Sequence, residues 1–245
     1  MSKPPRVLGI VGGLAPESTI LYYRQVIAGY REALGTKMYP RIIINSIDVT
    51  KMLDLAAANA IPELTDYLVG AVNDVARAGA DFALIACNTA HLAFEYVERV
   101  SPIPLISIVD AALAETARRN FARVALFGSR VTMQSDFYAR TFSKRGVELI
   151  SPNRSEQEYI NRKYMNELVS GTVLPETRDG LLDIVKEMRS SKNIDAVVLG
   201  GTELSLILSD GMSSEVPFLD TTRIHINAAV SHMITPLPRA QSLSS

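Results

Sequence analysis

One cysteine cannot close an internal disulfide or build a multi-cysteine metal site, so Cys87 is either a small buried hydrophobe or a reactive thiol. Excess charge is missing too. Twenty-five Lys and Arg stand against 26 Asp and Glu, and a net charge of −1 gives no electrostatic reason to expect nucleic acid. No apolar run reaches the roughly 18 residues that span a bilayer. Residues 1–6 carry two prolines and lead into no signal-type apolar stretch. No Gly/Ser-rich or Pro-rich linker divides the chain. The expectation is a cytoplasmic protein without nucleic-acid or membrane partners that handles a small polar molecule. Its 47% hydrophobic content suffices for one large core or two small ones.

What is present is a duplication. Residues 80–91 (Ala-Asp-Phe-Ala-Leu-Ile-Ala-Cys-Asn-Thr-Ala-His) are an apolar run breaking into a small polar turn, and Ile103-Pro104-Leu105-Ile106-Ser107 follows after a helix-length gap. Residues 194–204 (Ile-Asp-Ala-Val-Val-Leu-Gly-Gly-Thr-Glu-Leu) repeat the design, with Val216-Pro217-Phe218-Leu219-Asp220 at a similar distance. The first copy carries Cys87; the second has Gly201 at the matching place. Residues 6–13 and 123–129 open the two halves with short apolar runs ending in small residues, and residues 41–46 and 146–152 add a second strand to each. Such runs read as strands buried on both faces.

Between them, residues 18–29, 61–78, 135–145, 156–170 and 178–190 carry apolar side chains at helical spacing, and Gly79, Gly146 and Gly171 supply stop signals. Buried strands alternating with amphipathic helices predict an α/β fold of two pseudo-symmetric lobes, each a parallel sheet flanked by helices. Residues 1–113, joined by a C-terminal helix and tail at 221–245, form the first lobe, and residues 114–220 the second. Residues 236–245 read as a frayed tail.

In parallel α/β sheets, ligands bind beyond the carboxyl ends of the strands. The residues at those ends, Gly12-Gly13, Asn45-Ser46, Cys87-Asn88-Thr89, Gly128-Ser129, Gly201-Thr202 and Asp220-Thr221-Thr222, offer hydroxyls, amides and glycines rather than metal ligands. That suits the carboxylate and ammonium groups of a small acid. Cys87 sits where a strand gives way to a helix, where backbone N–H groups and the helix dipole favour a thiolate.

Gly12-Gly13-Leu14-Ala15-Pro16-Glu17-Ser18-Thr19, Cys87-Asn88-Thr89-Ala90-His91, Thr202-Glu203-Leu204 and Asp220-Thr221-Thr222-Arg223-Ile224-His225 resemble the signature stretches of the aspartate/glutamate racemase superfamily, on the branch of aspartate and broad-specificity amino-acid racemases. The likeness runs from about residue 7 to about residue 230. It implies two pseudo-symmetric lobes with the active site in the inter-lobe cleft, a homodimer, and racemisation of an acidic amino acid without any cofactor by two cysteines, one on each face of the α-carbon. The thiol equivalent to Cys87 would face the α-proton of the D-isomer. The family's second thiol lies in a Gly-Cys-Thr-Glu motif, and here that stretch reads Gly200-Gly201-Thr202-Glu203.

The resemblance assigns catalysis to Cys87 and to Gly201-Thr202, with Thr202, a bound water or another group serving the second face. Gly13, Ser46, Lys51, Asn88, Thr89, Ser129, Arg130, Arg162 and Glu203 are the candidate substrate-binding residues. Each has a plainer alternative: Asn88, Thr89, Thr202 and Asp220 as helix caps, Glu203 as a first-turn carboxylate, the basic residues as solvated surface groups, His91 as a packed histidine, and residues 12–19 as a tight turn rather than an anion nest. A one-thiol enzyme such as a decarboxylase, or a binding protein without turnover, fits the same residues.

Overall fold

The structure is a computed structural model that describes residues 5–209, 211 and 216–235. The expected frayed tail lies outside the described residues. Two four-stranded sheets, parallel throughout, organise the chain. The first contains β1 (Leu8–Gly12), β2 (Ile42–Ser46), β3 (Phe82–Ile85) and β4 (Leu105–Ile106) in the order β2-β1-β3-β4. In the second, β5 (Arg123–Gly128), β6 (Glu148–Ile150), β7 (Ala196–Gly200) and β8 (Phe218–Asp220) repeat that order as β6-β5-β7-β8. Every residue of β1, β3 and β7 is buried, which is why these strands are apolar without alternation.

Ten helices cover the sheets among the described residues: α1 (Pro16–Leu34), α2 (Val49–Ala57), α3 (Ile61–Arg77), α4 (Phe94–Val100), α5 (Ile108–Arg118), α6 (Arg130–Gln134), α7 (Phe137–Ser143), α8 (Arg154–Asn166), α9 (Pro175–Lys192) and α10 (Thr221–Ile234). Their starts follow local chemistry. Pro occupies the first turn of α1, α3 and α9, Asp48, Ser107, Ser129 and Asp220 cap α2, α5, α6 and α10, and Asn153 with Glu156 forms a capping box on α8. The single helix expected over residues 156–170 is instead α8 followed by a 3-10 turn, Leu168–Ser170. Glu167 leaves the helical region there while its carboxylate accepts from Lys163 and from the Thr177 hydroxyl, both at 2.5 Å.

The helices after β4 and β8 change lobes. Ile108, Val109, Ala112 and Leu113 of α5 pack into the second lobe's core with β5, β7 and α7. Reciprocally, Ile226, Ala229, Val230 and Met233 of α10 pack on β1, β3 and α1 of the first. Residue 113, where the boundary between the lobes is expected, lies inside α5. This exchange brings the carboxyl ends of the two sheets together.

Candidate active site

Sheet register makes Cys87 and Gly201 equivalent. Val11 pairs with Ile85 in the first sheet and Phe127 with Leu199 in the second, and Cys87 and Gly201 each lie two residues beyond. The other ends of these strands agree: the Asp81 carboxylate accepts the Val7 N–H, and the Asp195 carboxylate accepts the Arg123 N–H.

The Cys87 half-site is built by the 3-10 turn Thr89–Ala93. The thiol is buried at 8% exposure. Burial pushes it up to about 11, against hydrogen bonds from the Ala90 and Thr89 N–H groups and the Thr89 hydroxyl, and the charge of Glu203 raises it further. Thr89 also reaches the other lobe, with its hydroxyl 3.1 Å from Ser129 Oγ and 3.5 Å from Thr132 Oγ1.

The Gly201 half-site is not empty. A Cβ built on Gly201 would lie 2.8 Å from Tyr164 Cε2, 2.9 Å from Cζ and 3.1 Å from the phenol oxygen. Gly201 is extended, at φ −153° and ψ 130°, so the backbone itself would take any residue. The ring of Tyr164, from α8, excludes a side chain. Its hydroxyl donates to Glu203 Oε2 at 2.5 Å, and the Thr202 hydroxyl donates to the same oxygen at 2.7 Å. Burial, with the charges of Glu203 and Cys87, holds the phenol well above its ordinary value. Sulfur, carboxylate and phenol therefore share one electrostatic site.

Several candidates turn out to hold the lobes together. Asn88 donates from Nδ2 to Thr221 Oγ1 at 3.1 Å and accepts the Tyr138 hydroxyl at 2.6 Å. The Ile108 N–H donates to His91 Nε2, so the proton sits on Nδ1 and is donated to the Cys87 carbonyl at 2.8 Å. Both ring nitrogens are occupied and burial lowers His91 to about 3, so it is packed rather than a proton carrier. His225 is similarly consumed, donating from Nε2 to the Ile106 carbonyl and accepting the Tyr22 hydroxyl at Nδ1. Asp220 accepts the Thr222 and Arg223 N–H groups as the cap of α10.

Gly13, at φ +81°, meets Ser46: an added Cβ would lie 2.7 Å from Ser46 Oγ and 2.4 Å from the Ile47 carbonyl oxygen. Only glycine fits there. The Gly13 N–H is spent on Thr19 Oγ1 at 2.8 Å, so this turn offers no free donor at that residue for an anion nest. The basic candidates lie outward. Lys51 is exposed with its ammonium 4.5 Å from the Tyr67 ring, Arg162 is exposed with its guanidinium 5.7 Å from the Tyr159 ring, and exposed Arg130 has its N–H on Asn161.

A cleft of about 560 Å³ between α1 and the second lobe is lined by Ser18, Arg24, Leu168, Thr202 and Glu203. A larger cavity of about 760 Å³ lies between α5 and α10. Thr202 and Glu203 line only the smaller of the two, and Cys87 lines neither. Among the described residues no cluster of His, Cys, Asp and Glu could hold a metal, and no helix is long and apolar enough to cross a membrane. Sequence reasoning missed Tyr164; the signal available was its place one turn from buried Ile160 and from buried Leu168.

A lone thiol thus lies beside hydroxyls of both lobes at the joint of a duplicated α/β fold. The chain belongs to the Asp/Glu/hydantoin racemase family, whose sequence profile matches residues 11–229. It is similar to the broad-specificity amino-acid racemase RacX of Bacillus subtilis, 24% identical over 92% of this chain and 97% of that protein. Among solved structures it resembles an Asp/Glu racemase candidate from Yersinia pestis (TM-score 0.86, 30% identity, 94% of this chain and 100% of that one). An aspartate racemase homologue from Pyrococcus horikoshii is also similar (TM-score 0.81, 33% identity, 92% and 98%).

Proposed function

We propose that the chain is a cofactor-independent enzyme acting at the α-carbon of an amino acid, acidic by preference and aspartate first, with the Cys87 thiolate as base. The observation that carries this reading is the thiol at the carboxyl end of β3, with two backbone N–H groups and the Thr89 hydroxyl aimed at its sulfur, facing the charge of Glu203 from the other lobe. An α-proton beside a carboxylate is a very weak acid; removing it needs a strong base, exclusion of water and donors for the developing enolate charge. A thiol near 11 is thiolate in only about one molecule in 10⁴ at neutral pH. Each thiolate that forms is correspondingly more basic, which narrows the gap to the carbon acid. Thr89, Ser129 and Thr202 are the nearby hydroxyl donors.

Gly201 stands where the family motif carries its second thiol, so the two faces of the substrate meet different groups. Exchange of the α-hydrogen of one enantiomer should then run much faster than interconversion of the two. The test is proton NMR in deuterium oxide on each enantiomer of aspartate, glutamate and alanine, with the full chain and with Cys87→Ser. Loss of the α-proton signal from one aspartate enantiomer, abolished in the variant, is expected. No exchange with any of the six would overturn the reading.

A further inference from the structure

We propose that Tyr164, backed by Glu203, is the proton-transfer group on the face of the α-carbon opposite Cys87, and this rests on the amino-acid reading above. Register sets Gly201 as the counterpart of Cys87. The space a side chain would take there is filled by the phenol end of Tyr164, with Cε2, Cζ and the hydroxyl all within 3.1 Å of an added Cβ. The berth thus presents an O–H where its counterpart presents an S–H. That O–H is in contact with a buried carboxyl, Glu203, which takes a second hydrogen bond from Thr202 and lines the 560 Å³ cleft.

The proton balance closes within these groups. On one face the Cα–H bond breaks and its proton goes to the Tyr164 oxygen as the phenol's own proton passes to the Glu203 carboxylate across the 2.5 Å contact, while the electron pair stays on the enolate. On the other, the Cys87 S–H bond breaks as a new C–H bond forms at Cα, leaving thiolate, neutral phenol and neutral carboxyl. The site carries one negative charge throughout, on Glu203 before transfer and on sulfur after it. The reverse sequence, with the Cys87 thiolate as base, serves the opposite enantiomer, and proton exchange with solvent through the cleft that Glu203 lines restores the first state.

The test measures two rates together, α-deuterium exchange and inversion, for aspartate in deuterium oxide. Tyr164→Phe keeps the ring in the berth and removes only the O–H; the ratio of inversion to exchange should fall about 100-fold or more. Glu203→Gln should lower the same ratio, because an amide cannot take up the phenol's proton and return it. A tyrosine with a merely structural role would lower both rates together, so an unchanged ratio or a joint loss in Tyr164→Phe overturns the proposal. Exchange without any inversion by the unaltered chain overturns it too, while leaving the Cys87 reading intact. Absence of all exchange instead defeats the amino-acid reading, and this inference with it.

Discussion

Adding one methyl group at position 201 tests whether Tyr164 and Gly201 are parts of one packing unit. In Gly201→Ala the new carbon would sit 2.8, 2.9 and 3.1 Å from three atoms of the Tyr164 ring and hydroxyl. Ordinary carbon contacts start near 3.5 Å, so the ring must retreat by about 0.6 Å. It is tied to Glu203 through its hydroxyl, and moving away loses part of a hydrogen bond to a charged group, worth about 1.5–3 kcal/mol when fully broken. Overpacking of this kind costs about 1–3 kcal/mol. The extended backbone at residue 201 gives back about 0.4–1 kcal/mol, because alanine has less freedom to lose than glycine. The net expectation is a destabilisation of about 1–2 kcal/mol. In a Tyr164→Ala background the methyl group enters vacated space, and the same substitution should be neutral or stabilising by up to about 1 kcal/mol.

The coupling energy read from the four urea midpoints should therefore be about 1–3 kcal/mol, with the slope of each transition unchanged. Additivity within about 0.5 kcal/mol would refute the packing argument. The same geometry governs a restored thiol. Gly201→Cys alone has no room for its sulfur and should leave inversion unimproved, whereas paired with Tyr164→Ala it should raise inversion. A gain from the single substitution would show that the ring does not occupy the berth in solution.

Two further expectations concern titration. Alkylation of Cys87 by iodoacetamide should climb about tenfold per pH unit from 7 to 10, because burial holds the thiol near 11; a plateau at the ordinary value near 8.5 would refute that. His91 and His225 are lowered by burial to about 3 and about 4 from an ordinary 6.5, so the folded chain binds fewer protons than the unfolded one in between. Their contribution is complete above pH 6.5 and is lost as pH falls toward 4, by at most about 5 kcal/mol for the pair between pH 6.5 and 4.5. Urea midpoints that stay level over that interval would overturn the assignment.

Burial on both faces leaves little choice of residue in β1, β3 and β7, and all eight strands fall inside the segments expected. Helices were legible where three or more turns repeat one apolar stripe, as in α1, α3 and α9. They were missed where the element is too short to show a period: α2 buries only Met52 and Ala56, and α6 has five residues. The lobe exchange of α5 and α10 was half legible. An amphipathic stripe says that a helix must be covered, not by which sheet, and the choice is made by hydrogen bonds such as Ile108 to His91 and His225 to Ile106, each spanning distant segments.

Site residues divide the same way. Cys87 and Gly201 could be matched from the sequence since each follows a duplicated strand at a fixed offset, and strand register carries that offset into space. Asn88 and His91 lie in the same stretch, yet local sequence could not tell a ligand-binding amide or imidazole from one already spent on Thr221, Tyr138, Ile108 and the Cys87 carbonyl. Tyr164 was out of reach for a stronger reason. A glycine in a β–turn junction and an aromatic on a preceding helix have no shared periodicity, and each satisfies its own local rule without the other. Their relation exists only as a distance, 2.8 Å between an absent Cβ and a ring carbon. The glycine alone reads as a loss of chemistry; with the phenol in view, it is also the residue whose small size leaves room for the Tyr164 ring.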